Sequence, residues 1–212
     1  MKATVVDYGI GNLFSIARAL ESCGAQVQMA DSARLVEAAE RLVLPGVGAF
    51  AHCVGELGRH GLTEPVLRFA GSGRPLLGIC VGMQMLFESS EEFGRHAGLG
   101  LLPGRVVPIP ATGDDGVPHK IPHIGWAGLE RPPGCASWQG TLLEGLAEGA
   151  AVYFVHSFTA QPGREAHRLA DCRYDGRVIS ASVKAGSISG CQFHPERSGR
   201  IGLRILANFL RE

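Results

Sequence analysis

An α/β fold, with a largely parallel central sheet and an antiparallel second half, is predicted by three observations. Short apolar runs at residues 2–7, 25–29, 41–44 and 75–79 alternate with segments of helical spacing, the signature of βαβ units. Glycine-rich turns follow the first, third and fourth of these runs: Tyr8-Gly9-Ile10-Gly11-Asn12, Pro45-Gly46-Val47-Gly48 and Cys80-Val81-Gly82. In an open parallel sheet such turns, at the carboxyl ends of strands, build the ligand site. From about Leu99 the texture changes to brief strand-like runs between Gly/Pro-rich turns.

Taken in order, Lys2 to Asp7 reads as a buried first strand, followed by a helix with Leu13, Ile16, Ala17 and Leu20 on one face. Gly9 and Gly11 invite comparison with a dinucleotide fingerprint, but Phe14 holds the third glycine position and the match is set aside. Ala25 to Met29 forms the second strand and Arg41 to Leu44 the third, with a helix through Leu35, Val36 and Ala39 between them. Helical pieces run to about Ala70, and Pro75 to Ile79 makes the fourth strand. The helical spacing of Met83, Leu86 and Phe87 comes next. In the second half, residues 106–109, 124–129 and 152–155 are strand candidates, and Ala111 to Pro118 is a polar, Gly-rich loop expected to be mobile. Arg168–Tyr174 and Val178–Val183 flank Asp175-Gly176, a two-residue hairpin signal. Ile188 to Phe193 is the last strand. A final amphipathic helix carries Ile201, Ile205, Leu206, Phe209 and Leu210. With no repeat, low-complexity tract or linker, residues 1–212 are expected to form a single domain.

Apolar residues make up 45% of the chain and charged residues 19%, with zero formal net charge, which gives no reason to expect a nucleic-acid or acidic-membrane partner. No long apolar run or signal-peptide pattern is present, so a cytoplasmic protein is expected. The cysteines (Cys23, Cys53, Cys80, Cys135, Cys172, Cys191) contain no C-x-x-C pair, so a structural zinc site has no framework. Free thiols are expected, at most one of them chemically active.

That one is Cys80. Gly78-Ile79-Cys80-Val81-Gly82 is the cysteine form of a nucleophile elbow, a strained strand-to-helix turn that lifts a reactive atom above a sheet. Flanking glycines let the backbone double back, and amides at a helix start favour negative charge. A buried, inert core cysteine would give the same local pattern. The last strand ends in His194-Pro195-Glu196, where proline biases His194 toward an extended conformation. Positions i and i+2 of an extended run share a side. Glu196 is thus placed to orient His194 as a base, giving a Cys-His-Glu arrangement with Cys80. A surface histidine beside a solvated glutamate is the competing reading, and the proline at the end of an apolar strand weighs against it. The Val81 amide, with the loop carrying Val47 and Gly48, can supply oxyanion donors, although alone that loop reads as an ordinary turn.

The elbow, Phe193-His194-Pro195-Glu196 and the Pro-Gly loop resemble class I glutamine amidotransferases. More narrowly, Asp7 to Leu13, Pro45 to Phe50, His123-Ile124-Gly125-Trp126 and Tyr153 to Phe158 resemble the glutaminase subunits of imidazole glycerol phosphate synthase. The resemblance spans residues 7–197. It implies a flavodoxin-like three-layer fold and hydrolysis of glutamine to glutamate and ammonia through a glutamyl thioester, with no metal or cofactor. Cys80 would be the nucleophile, and Val81 with Val47 and Gly48 would supply the oxyanion site. It further implies substrate contacts from Gln84, Glu92, Ser157 and Phe158, with His156 structural or interfacial. The ammonia would pass to a (β/α)₈-barrel cyclase subunit of a heterodimer in histidine biosynthesis, and the isolated subunit would have low activity. Two positions depart from the pattern: Ala127 where asparagine is usual, and Phe158 where tyrosine is common. Other triad amidotransferases, a cysteine peptidase or thioesterase, and a non-catalytic partner subunit are the rival classes.

Overall fold

The computed structural model describes residues 1–212. The first half comprises β1 (Lys2–Val6), α1 (Leu13–Ser22), β2 (Gln26–Ala30), α2 (Ala33–Glu37), β3 (Leu42–Leu44), α3 (Phe50–Arg59), α4 (Thr63–Gly71), β4 (Leu76–Ile79) and α5 (Val81–Met85). There follow β5 (Phe87–Ser90), β6 (His96–Ala97), β7 (Leu102–Pro108), β8 (His123–Gly128), β9 (Ala151–His156) and β10 (Phe158–Pro162). The chain ends with β11 (Arg168–Tyr174), β12 (Arg177–Ala185), β13 (Ile188–Cys191) and α6 (Gly199–Phe209). No helix is long and apolar enough to cross a membrane.

The central sheet has the order β11-β12-β13-β4-β3-β1-β2. From β13 to β2 the strands pair in parallel, and β12 and β11 add an antiparallel edge. Every residue of β3 and β4 is buried, as strands covered on both faces require. β4 lies between β13 and β3, so the residue after it emerges near the middle of the sheet, at the carboxyl ends of its parallel strands. A four-stranded sheet (β10-β7-β5-β6) and a two-stranded ribbon (β8-β9) complete the fold. One hydrophobic cluster of 53 buried residues runs through the molecule.

Several local expectations are corrected. The helix after Cys80 ends at Met85, and Phe87 already belongs to β5, paired with Leu102 of β7; strand pairing overrides the helical spacing of Met83, Leu86 and Phe87. Glu92 therefore follows a strand rather than ending a helix. The final strand stops at Cys191, short of Gln192 and Phe193. His194 is extended (φ −98°, ψ 97°), but Pro195–Arg197 forms a 3₁₀ turn. The expectation of an extended His-Pro-Glu run fails there because proline is favoured at a helix start. Within the loop at residues 111–118, Thr112 bridges Pro118, and the Arg177 guanidinium donates to the carbonyls of Thr112 and Gly113; these contacts leave the expected mobility untested. The Asp175-Gly176 hairpin has positive φ at both turn residues (45° and 80°), as a type I′ turn requires, with Tyr174 paired to Arg177.

Candidate active site

Cys80 has φ 54° and ψ −114°, a conformation that costs a non-glycine residue about 1–3 kcal/mol and persists only where packing enforces it. The packing is visible at the glycines. A Cβ on Gly78 would stand 2.7 Å from the Gly82 carbonyl oxygen, and one on Gly46 2.5 Å from the Gly82 amide nitrogen. A Cβ on Gly82 would overlap the Leu44 carbonyl. Three backbones meet here with no room for a side chain. Inward pressure from β3 and the Pro45–Gly48 loop holds the turn that presents Cys80.

A cavity of about 320 Å³ opens over the elbow. Its walls include Cys80, Val81, Gln84, Val47, Gly48, Glu92, Ser157, Phe158 and His194, together with Pro122, Val155 and His156. Glu196 stands behind His194, its carboxylate Oε1 2.9 Å from the imidazole Nδ1, with both side chains almost wholly buried. The 3₁₀ turn, not an extended strand, brings the two together. The same oxygen receives Asn12 Nδ2 at 3.4 Å, from the loop after β1. Burial opposes charge on His194, but the neighbouring Cys80 thiol and Glu196 carboxylate outweigh it and push its pKa up to about 10. An imidazolium facing a sulfur that can carry negative charge is the arrangement that primes a thiol for attack.

The other predicted residues have definite partners. Gln84 Nε2 donates to the Phe158 carbonyl and to Gln192 Oε1, both at 3.0 Å. Glu92 Oε2 accepts the Phe50 amide at 2.6 Å, placing a carboxylate at the amino end of α3. The Ser157 carbonyl accepts the Ile109 amide at 2.9 Å. The loop carrying Val47 and Gly48 is pinned on both sides: the Tyr8 hydroxyl donates to the Pro45 carbonyl at 2.6 Å, and the Cys53 thiol to that of Val47 at 3.3 Å. The Val81 amide, expected from the sequence to be an oxyanion donor, donates to the Gly46 carbonyl at 3.3 Å and is already engaged. Because N–H and C=O of a trans peptide point oppositely, the Val47 N–H is directed away from Val81.

Sequence reasoning missed Gln192, which is fully buried and whose Nε2 lies 3.8 Å from Cys80 Sγ. Its place next to Phe193-His194 was the only available signal. It also missed a buried imidazole pair. His156 Nδ1 donates to the Phe158 carbonyl at 2.8 Å, which leaves its Nε2 to accept from His123 Nδ1 at 3.1 Å. Burial pushes His156 down to about 3 and lowers His123 as well, so both rings are neutral. His123 stacks on Phe154 and Tyr174. His156 therefore has its Nδ1 proton and its Nε2 lone pair fixed by structural contacts. All six cysteines are free.

A family model described as "Glutamine amidotransferase class-I" matches residues 4–212. A Legionella pneumophila protein named "Imidazole glycerol phosphate synthase subunit HisH 1" is 49% identical, covering 98% of each chain. A Syntrophotalea carbinolica protein named "Imidazole glycerol phosphate synthase subunit HisH" is 44% identical over 97% of each. Among solved structures, a glutamine amidotransferase superposes with a TM-score of 0.73 at 20% identity, covering 98% of this chain and 97% of its own. PurLQS from Thermotoga maritima gives 0.71 at 20%, covering 99% and 97%; at such identities these likenesses speak for the fold alone. The chain belongs to the class-I glutamine amidotransferases, among the HisH subunits of imidazole glycerol phosphate synthase.

Proposed function

We propose that residues 1–212 act as one domain that hydrolyses glutamine through Cys80, His194 and Glu196, and hands the ammonia to a (β/α)₈-barrel cyclase subunit. The cyclase would make imidazole glycerol phosphate and an aminoimidazole carboxamide ribotide in histidine biosynthesis, in the cytoplasm. The single observation carrying this reading is the convergence of the strained Cys80 and the His194–Glu196 pair on one cavity. Cys80 Sγ attacks the side-chain amide carbon of glutamine. His194 gives its proton to the departing ammonia, leaving a glutamyl thioester. Water, losing a proton to His194, then cleaves the thioester to glutamate. Glu196, bound to Nδ1, keeps the reactive nitrogen of His194 turned to the cavity. Glu92 offers a carboxylate to the α-ammonium of glutamine, while Ser157 and Phe158 form the facing wall.

The oxyanion site is closed at rest, because Val81 N–H is spent on Gly46. Turning the Gly46–Val47 peptide over would withdraw that carbonyl and bring the Val47 N–H beside that of Val81. Each donor is worth about 3 kcal/mol of transition-state stabilisation. This engaged donor supports low activity of the isolated subunit, which the partner would relieve by favouring the turned peptide. A partner surface is supported at the ribbon: Trp126 pairs with Tyr153 and Ile124 with Val155, so these apolar side chains share one face. Ile124 and Trp126 are 53% and 59% exposed, and Val155 also lines the cavity. A cyclase seated on this face would seal the site from water.

The test is ammonia release from glutamine, with and without the cyclase and its ribonucleotide substrate. The unaltered subunit is expected to be weak alone and strongly activated in the complex. Cys80→Ala should abolish ammonia release while leaving fold and partner binding intact. Turnover by that variant in the complex would remove Cys80 as the nucleophile.

A further inference from the structure

The residue after β13, Gln192, has no solvent exposure, and its backbone amide is spent on the Ala181 carbonyl at 2.9 Å. Its side chain lies between Gln84 and Cys80. The oxygen and nitrogen of a primary amide have nearly the same shape, so the hydrogen-bond network must decide which faces which neighbour. The Phe158 carbonyl decides it here, because a carbonyl can only accept. The Gln84 atom 3.0 Å from that carbonyl is therefore nitrogen. The same nitrogen lies 3.0 Å from Gln192, so the Gln192 atom facing it must be the acceptor, Oε1. By elimination Nε2 of Gln192 faces Cys80 Sγ, 3.8 Å away and within range of a hydrogen bond to sulfur. A polarity fixed at Phe158 is passed through two amides to the sulfur.

Cys80 is only 4% exposed, and α5 behind it has five residues, so water and helix amides offer a negative sulfur little support. The titratable groups around the thiol are His194 from the turn before α6, Tyr8 from the loop after β1 and Cys53 from α3, and Glu92 lines the same cavity. Of these only His194 brings positive charge. We infer that Gln192 is a further catalytic residue, donating its side-chain N–H to Cys80 Sγ and thereby favouring and orienting the thiolate. A thiol is a weak acceptor and a thiolate a strong one, so the contact strengthens as the proton leaves. The inference rests on the reading of Cys80 as the nucleophile.

The experiment uses the full subunit and iodoacetamide, following alkylation of the Cys80 peptide by mass spectrometry between about pH 5 and pH 9. Gln192→Glu, which sets a carboxylate against sulfur, and Gln192→Met, which removes the donor, should each slow alkylation roughly tenfold near neutrality and move the profile to higher pH. In the complex, kcat for glutamine should fall more than KM rises. Profiles matching the unaltered protein would overturn the inference. Should either substitution prevent folding, the unaltered protein still decides. The Gln192 side-chain amide proton, observed by ¹⁵N NMR, should shift with the Cys80 titration and lose that dependence in Cys80→Ala. A shift indifferent to Cys80 overturns the inference. Ammonia release by Cys80→Ala would instead remove the nucleophile reading, which separates the two failures.

Discussion

His156 carries a testable consequence of its burial. Its imidazole is neutral in the fold because desolvation pushes its pKa down to about 3, whereas an unfolded chain would protonate it near 6.5. Between those values the unfolded state binds the extra proton, so this residue's contribution to stability is complete above about pH 6.5 and is lost as pH falls toward 3. The slope it adds approaches about 1.4 kcal/mol per pH unit in that window. Denaturant titrations at successive pH values should show a shallower acid loss in His156→Asn than in the unaltered protein; equal slopes would mean that His156 is charged in the fold. At Tyr8 the effect is uncharged. Tyr8→Phe leaves the carbonyl of buried Pro45 without its 2.6 Å donor, and should cost about 1–3 kcal/mol by chemical denaturation.

At the scale of elements, β4, the elbow and α5 act as one unit, because their glycines are points of backbone contact. Gly82→Ala would drive a methyl group into the Leu44 carbonyl, and rigid backbone on both sides leaves it nowhere to go. A loss of about 3 kcal/mol or more is expected, with glutaminase activity abolished. Gly55→Ala is the matched control within α3. No atom lies within 4 Å of its added Cβ and the site is exposed, so the helix should gain about 0.5–1 kcal/mol. Thermal melts of the two variants should move in opposite directions. The contrast separates a glycine required by close approach from one that is merely tolerated.

At the scale of the whole molecule, the parallel strands end on the side where the cavity opens, and the β8–β9 ribbon carries that surface outward through Val155, Ile124, Tyr153 and Trp126. Tyr153 is braced from one side by the Arg197 guanidinium, 4.4 Å from its ring centroid, and meets Trp126 edge-on. A large aromatic held rigidly at the centre of an exposed apolar face is the usual form of an interface hot spot. Trp126→Ala should weaken binding to the proposed cyclase partner by at least about 2 kcal/mol, read by calorimetry, with little change in the subunit's own melting temperature. Unchanged affinity would place the interface elsewhere.

The sequence alone determined the alternation of strands and helices, the three glycine-rich turns at strand ends, and the Cys80, His194 and Glu196 constellation. These are written in local patterns: apolar runs, glycine spacing and a proline beside a histidine. The boundaries were less legible. Phe87 carries helical spacing yet pairs with Leu102, and Glu196 reaches His194 through a 3₁₀ turn, because pairing and packing partners distant in sequence override local preference. Tertiary structure alone decided that Val81 is engaged by Gly46, that His123 and His156 are neutral partners, and that Gln192 presents nitrogen to sulfur. Each depends on the direction of a hydrogen bond between groups far apart in the chain. Residue types fix which donors and acceptors exist, and only the fold fixes which of them face each other.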